Sequence, residues 1–223
     1  MYTAEELIWA TQLAYCNFED EDIVKYDGDV KETLNAKGYG IFYDKTVTEP
    51  ASGDKETMRQ ETRNFIDDVC RDDDDEKIKC KGWKIVDVHN LETVNGVYAI
   101  TIETGENEAI IAFRGSESVN LEQVVRDWII ADGGIAKGEL TDQELAAGQY
   151  LDYIAEHFDY ENLSLTGHSL GGNLALVAAV YSATEMSHTD ASTRIRQSVS
   201  MDGRDIQWNF LRNILMRLSR CRA

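Results

Sequence analysis

An α/β fold is predicted for this 223-residue chain, its sheet beginning as an antiparallel meander and continuing as a parallel βαβ segment. Three observations predict it. Between residues 83 and 114, three short runs rich in β-branched residues are separated by turn signals. From residue 141 onward, helical and strand-like apolar patterns alternate, as crossover-linked parallel strands require. A tight turn, Gly167-His168-Ser169-Leu170-Gly171, then stands between a short apolar strand and an Ala- and Val-rich helix.

The chain opens on a capping box, Thr3 with Glu6, which predicts an amphipathic helix over about 4–17. Glu5 and Glu6, with no basic residues before them, do not fit a signal peptide. No stretch approaches the length of a membrane span. The four cysteines, Cys16, Cys70, Cys80 and Cys221, lack paired spacing and read as reduced thiols, so the predicted setting is cytoplasmic. The net charge of −19 repels nucleic acid and anionic lipid, and neither is expected as a general partner. Residues 1–81 form a helix-leaning, charged region ending in Asp72-Asp73-Asp74-Asp75-Glu76. We read that run as a solvated loop rather than a metal site, because consecutive like charges repel and nothing spaces them around one ion.

From Gly82 the pattern becomes strand-like, over 83–91, 97–103 and 109–114. Asn95-Gly96 is a two-residue hairpin signal between the first two runs, and Gly105-Glu106-Asn107 separates the next pair. Residues 119–131 read as a helix or partly helical flap. Thr141 and Glu144 form a second capping box, opening a helix to about 158. A strand at 163–166, a helix over 170–184 and a strand at 195–201 complete the order. The division expected is a helical region over 1–81, an α/β core over 82–203 and an atypical basic tail over 204–223.

The chemistry lies in Gly167-His168-Ser169-Leu170-Gly171, a G-x-S-x-G pattern followed by Gly172. A nucleophile elbow needs this strand–turn–helix setting, with glycines letting strand and helix approach around a strained serine. Ser169 is therefore the predicted nucleophile, and the helix N-terminus places the Leu170 N–H as an oxyanion donor. A glycine-rich βα turn without chemistry is the plainer alternative.

Phe113-Arg114-Gly115-Ser116, then Arg126-Asp127-Trp128-Ile129, then Thr166 to Gly172 resemble class 3 lipases and their bacterial lipase-like relatives over about residues 97–203. The resemblance implies an α/β-hydrolase-type sheet and a lid or lid remnant over 119–130. It also implies an oxyanion hole formed by Ser116 and Leu170. Arg114 is expected to be a structural partner of nearby acids, and His168 a packing or hydrogen-bonding residue.

A serine needs a histidine base oriented by a carboxylate, in the chain order serine, acid, histidine. After Ser169 the sole histidine is His188, poorly placed to return to the serine. Asp202, closing a predicted strand where some hydrolases place their acid, is a candidate for the acid. The resemblance would put both acid and histidine beyond residue 223, so a complete triad is not expected. Residues 204–223 hold five Arg and one Asp, an inversion of the chain's acidic character. One reading is a basic amphipathic helix able to meet a membrane surface. The reading we favour is a shifted frame, since one permitted alternative spells PGYSMEFFTKYFDEIIKMQG after Gly203.

The function expected is hydrolysis of a lipid or other carboxylic ester through Ser169, impaired in this chain, with no cofactor and no metal implied. The contrasting reading is a non-catalytic remnant or binding module that keeps the fold, its basic tail meeting a membrane surface. Oligomeric state is not encoded legibly.

Overall fold

The computed structural model describes residues 1–37, 79–91, 94, 96–115, 140–184 and 187–201. Three N-terminal helices, α1 (Ala4–Leu13), α2 (Asp20–Tyr26) and α3 (Val30–Lys37), precede strands β1 (Lys84–Leu91), β2 (Val97–Gly105) and β3 (Glu108–Phe113). Then come α4 (Asp142–His157), β4 (Asn162–Gly167), α5 (Leu170–Tyr181), α6 (Ala191–Arg194) and β5 (Ile195–Ser200). The strands form one sheet in the order β1-β2-β3-β4-β5. β1, β2 and β3 pair antiparallel, and β3, β4 and β5 pair parallel, giving a mixed α/β architecture.

Side chains alternate across a strand with period two, and this alternation divides the core into two layers. Tyr98, Ile100 and Ile102 of β2, with Ile110 and Ala112 of β3, meet Leu7, Ala10 and Leu13 of α1 and Phe18 beyond it. Val97, Ala99, Ile111 and Phe113 meet Ala147, Leu151 and Ile154 of α4 and Leu174 and Ala178 of α5. β2 is covered on both faces over its first six residues.

Both predicted capping boxes form. Thr3 accepts from the Glu6 N–H while Glu6 accepts from the Thr3 N–H at 2.7 Å, and Thr141 and Glu144 repeat the exchange. The first helix, however, ends at Leu13 rather than near 17. Its final carbonyls are drawn toward the sheet. Arg114, 4% exposed, donates through Nε to Ala14 O at 2.7 Å and through one terminal nitrogen to Cys16 O at 3.0 Å and Asn17 Oδ1 at 3.1 Å. Tyr98 O–H donates to Cys16 O and Phe18 O, both at 3.0 Å. The guanidinium also lies 3.6 Å above the Tyr98 ring centroid. Among the described residues, then, the partners of Arg114 include two main-chain carbonyls at the negative end of a helix and the Asn17 side-chain oxygen.

Two further boundaries differ from expectation. Leu91 pairs with Val97, so the β1–β2 connection is a five-residue loop rather than a two-residue turn at Asn95-Gly96. The two-residue turn falls instead at Glu106-Asn107, where Gly105 pairs with Glu108 and Asn107 adopts φ 61°. The elbow helix stops at Tyr181, three residues short of Thr184. The acidic run 72–76, the predicted helix or flap over 119–131 and the basic tail 204–223 lie outside the described residues. Among the described residues, no helix is long and apolar enough to cross a membrane, and no group of three His, Cys, Asp or Glu could hold a metal ion.

Removing the Arg114 fork strands buried carbonyls at the end of α1, and a buried polar group left without its partner costs about 1–3 kcal/mol. We expect Arg114→Met to lower unfolding free energy by about 3 kcal/mol in urea titration, and a change below about 0.5 kcal/mol would show that the clamp is dispensable.

Candidate active site

The C-terminal ends of the three parallel strands finish level, Phe113 beside Gly167 and Gly167 beside Ser200. This edge is where open α/β sheets place their ligands. The chain leaves β4 through His168 and Ser169 and enters α5 at Leu170. Little space is available for side chains at this bend. A Cβ on Gly167 would lie 2.7 Å from the Phe113 carbonyl oxygen and nearer still to the backbone of Gly171. A Cβ on Gly171 would press on that same carbonyl oxygen, and one on Gly172 would meet the Ser200 hydroxyl. Because real Cβ contacts essentially never fall under 3.0 Å, close approach demands glycine at these positions.

Ser169 carries the resulting distortion. It sits at φ 56° and ψ −122°, a backbone region that favours glycine. Holding a serine there costs about 1–3 kcal/mol. The side chain is half-buried, does not cap α5, and makes no hydrogen bond to a described residue. Leu170 is the first residue of α5, so its N–H belongs to the group that a helix leaves without an internal acceptor. The positive end of the helix dipole points the same way. An anion developing beside Ser169 would meet both.

Ser116 and Asp202 lie outside the described residues. Their described neighbours abut the bend. Gly115 packs so closely on the His168 carbonyl that a Cβ there would overlap it, and the Met201 N–H donates to Gly167 O at 2.9 Å.

Tyr15 is a site neighbour that sequence reasoning missed. Its hydroxyl accepts from the Gly115 N–H at 3.2 Å and lies 3.4 Å from His168 Nδ1. The N-terminal segment thereby joins the residue before Ser116 to the residue before Ser169. No local pattern signals this, because the two partners of the first bond stand 100 positions apart.

All four histidines of the chain are described, and none bonds Ser169. His168 is exposed and faces Tyr15 edge-on. His89 stacks on Tyr150, and His157 lies against Tyr153 near the end of α4. His188 contacts two carboxylates of α4, Asp152 at 3.3 Å and Glu156 at 2.9 Å. The 12 residues of α5 span about 18 Å at 1.5 Å per residue, separating Ser169 from the segment that carries His188.

Comparison with known proteins assigns the chain to a family. The model of the Mbeg1-like family, a lipase-like family, matches residues 79–217, and the chain belongs to that family. The match takes in Ser116, Ser169 and Asp202 and continues into the basic tail. The family found is thus Mbeg1-like rather than class 3 lipase by name. No curated protein matches the chain. Among solved structures, the chain is similar to the crystal structure of M37 lipase, with 15% identity, a TM-score of 0.37 and coverage of 88% of this chain. The chain spans 58% of that protein's length.

Strain at Ser169 has a measurable signature. Ser169→Gly relieves the positive φ whereas Ser169→Ala keeps it, so we expect the glycine variant to be more stable than the alanine variant by about 1 kcal/mol in chemical denaturation. Equal stabilities, or a less stable glycine variant, would contradict a strained serine.

Proposed function

We propose that this member of the Mbeg1-like family is a serine-hydrolase scaffold of the α/β-hydrolase type, in which Ser169 attacks the carbonyl of a carboxylic ester. The observation that carries the reading is the backbone of Ser169, strained at φ 56° and ψ −122° between a parallel strand and a helix N-terminus. A strained residue at such a bend persists where the surrounding structure over-determines it, and such residues cluster at reacting centres. In the proposed step, Ser169 Oγ bonds to the acyl carbon and the carbonyl oxygen becomes an oxyanion. The Leu170 N–H and Ser116 hold that oxyanion. Its collapse breaks the ester C–O bond and expels the alcohol, which leaves with the serine proton. Water then attacks the acyl-serine, releasing the acid and restoring the Ser169 hydroxyl. The resemblance to class 3 lipases makes a lipid or other carboxylic ester the substrate class. It also makes Ser116 an oxyanion residue, while the position of Asp202 just after β5, not the resemblance, makes it a candidate for the acid.

Turnover by this chain is proposed to be slow. Activation of a serine hydroxyl requires a base, and none of the four histidines bonds Ser169. Triad members act as a unit, so lacking one costs roughly four to six powers of ten in rate. The same observation favours a second reading, a scaffold that binds an ester or its relative without hydrolysing it.

The discriminating assay is hydrolysis of a short-chain p-nitrophenyl ester. We expect weak turnover that Ser169→Ala abolishes and His188→Ala leaves unchanged. Turnover that survives Ser169→Ala would reject the nucleophile, and turnover that falls with His188→Ala would reject the separation of His188 from the site. Substrate binding without turnover would establish the second reading.

A further inference from the structure

A concavity lies away from Ser169, on the β1 edge of the sheet between α2 and α4. It encloses about 610 Å³ and is lined by Asp20, Asp87, His89, Leu91, Tyr150 and Tyr153 among others. That volume suits a small organic molecule. Its lining is acidic and aromatic at once, and no Lys or Arg is among the described residues lining it.

The side chains are held in a definite order. Asp87 and His89 stand two residues apart on β1 and both meet Tyr150 on the face covered by α4. The Tyr150 hydroxyl donates to Asp87 Oδ1 at 2.8 Å and lies 2.8 Å from Thr101 Oγ1. His89 stacks on Tyr150 with centroids 4.6 Å apart, and Tyr150 stacks on Tyr153 at 6.3 Å. The three rings therefore stack in series, inclined by 27° and 15°, with Tyr150 itself buried, beside one half-buried carboxylate and one exposed one.

Two features of this arrangement are unfavourable in the protein alone. Burial and the nearby Asp20 charge both push the Asp87 carboxyl above the usual range. His89 Nε2 is buried with no hydrogen-bond partner among the described residues, and burial lowers the tendency of that ring to protonate. Both point to the same complement. A positive charge would offset the carboxylate pair, and His89, kept neutral, would not oppose it. The faces of tyrosine rings attract cations, most strongly when water is excluded. A bare metal ion does not fit, since among the described residues no three suitable ligands converge.

We propose that this cleft binds a small organic cation of the quaternary or primary ammonium type, with Asp87 and Asp20 facing its charge and the Tyr150, Tyr153 and His89 rings facing its hydrocarbon. The site is independent of the ester-hydrolase reading and stands whether or not Ser169 is reactive.

The test uses choline and its neutral carbon isostere, 3,3-dimethylbutan-1-ol, in calorimetric titrations of the full chain at pH 8. Choline is expected to bind at one site at least tenfold more tightly than the alcohol. Tyr153→Ala removes a ring that is 42% exposed and should leave the fold intact while weakening choline at least fivefold. Asp87→Asn should weaken it further. His89→Phe should raise thermal stability, because the orphan nitrogen is gone, yet retain the preference for choline over the alcohol. A phosphatidylcholine vesicle arm separates sources: co-sedimentation identifies a lipid headgroup, and choline binding alone identifies a free cation. No choline binding at millimolar concentration, equal affinity for the alcohol, or affinity unchanged by Tyr153→Ala would each overturn the proposal.

Discussion

The close approach of β3, β4 and α5 at one edge of the sheet is the constraint on which the site depends. Gly167 and Gly171 both stand against the Phe113 carbonyl, and Gly172 stands against Ser200 of β5, so four elements share a space that cannot admit side chains. A chain packed this tightly has to turn from strand to helix within two residues. It does so by forcing Ser169 to a positive φ. The serine's exposure, its strain and its position at a helix N-terminus are thus consequences of one packing decision, made by glycines on either side of it.

A second constraint ties the N-terminal segment to that edge. Arg114 gathers the carbonyls that end α1, Tyr98 gathers those that follow, and Tyr15 bonds the very next residue, Gly115. Thr11 reaches Thr166 on β4 at 3.1 Å. These bonds lie at or beside the strand ends that lead into residues 116 and 168. The family match begins at residue 79, whereas Tyr15 and the carbonyls held by Arg114 lie well before it. A segment outside the matched region therefore helps hold the site's framework.

Much of the fold was legible because its signals are local. Capping boxes involve residues three apart, strand alternation spans six to nine residues, and the glycine-serine turn is contiguous. What was illegible is long-range. The early end of α1 follows from a guanidinium 100 positions away in the chain, and the role of Tyr15 from an equally distant amide. The β1–β2 loop was misread because Asn95-Gly96 matches a two-residue turn, while pairing of Leu91 with Val97 leaves five residues to connect them. The aromatic and acidic cleft was invisible for the same reason, since Asp20, His89 and Tyr150 come from three separate elements. Of the predicted site residues, Ser169 and Leu170 could be placed, while Ser116 and Asp202 lie outside the described residues.

The account rests on Ser169 being an acyl-accepting nucleophile, and covalent capture tests this most directly. Incubation with a fluorophosphonate, followed by intact-mass measurement and peptide mapping, should give a single slow adduct on Ser169. An adduct on a different residue, or an unmodified chain after prolonged exposure, would contradict it.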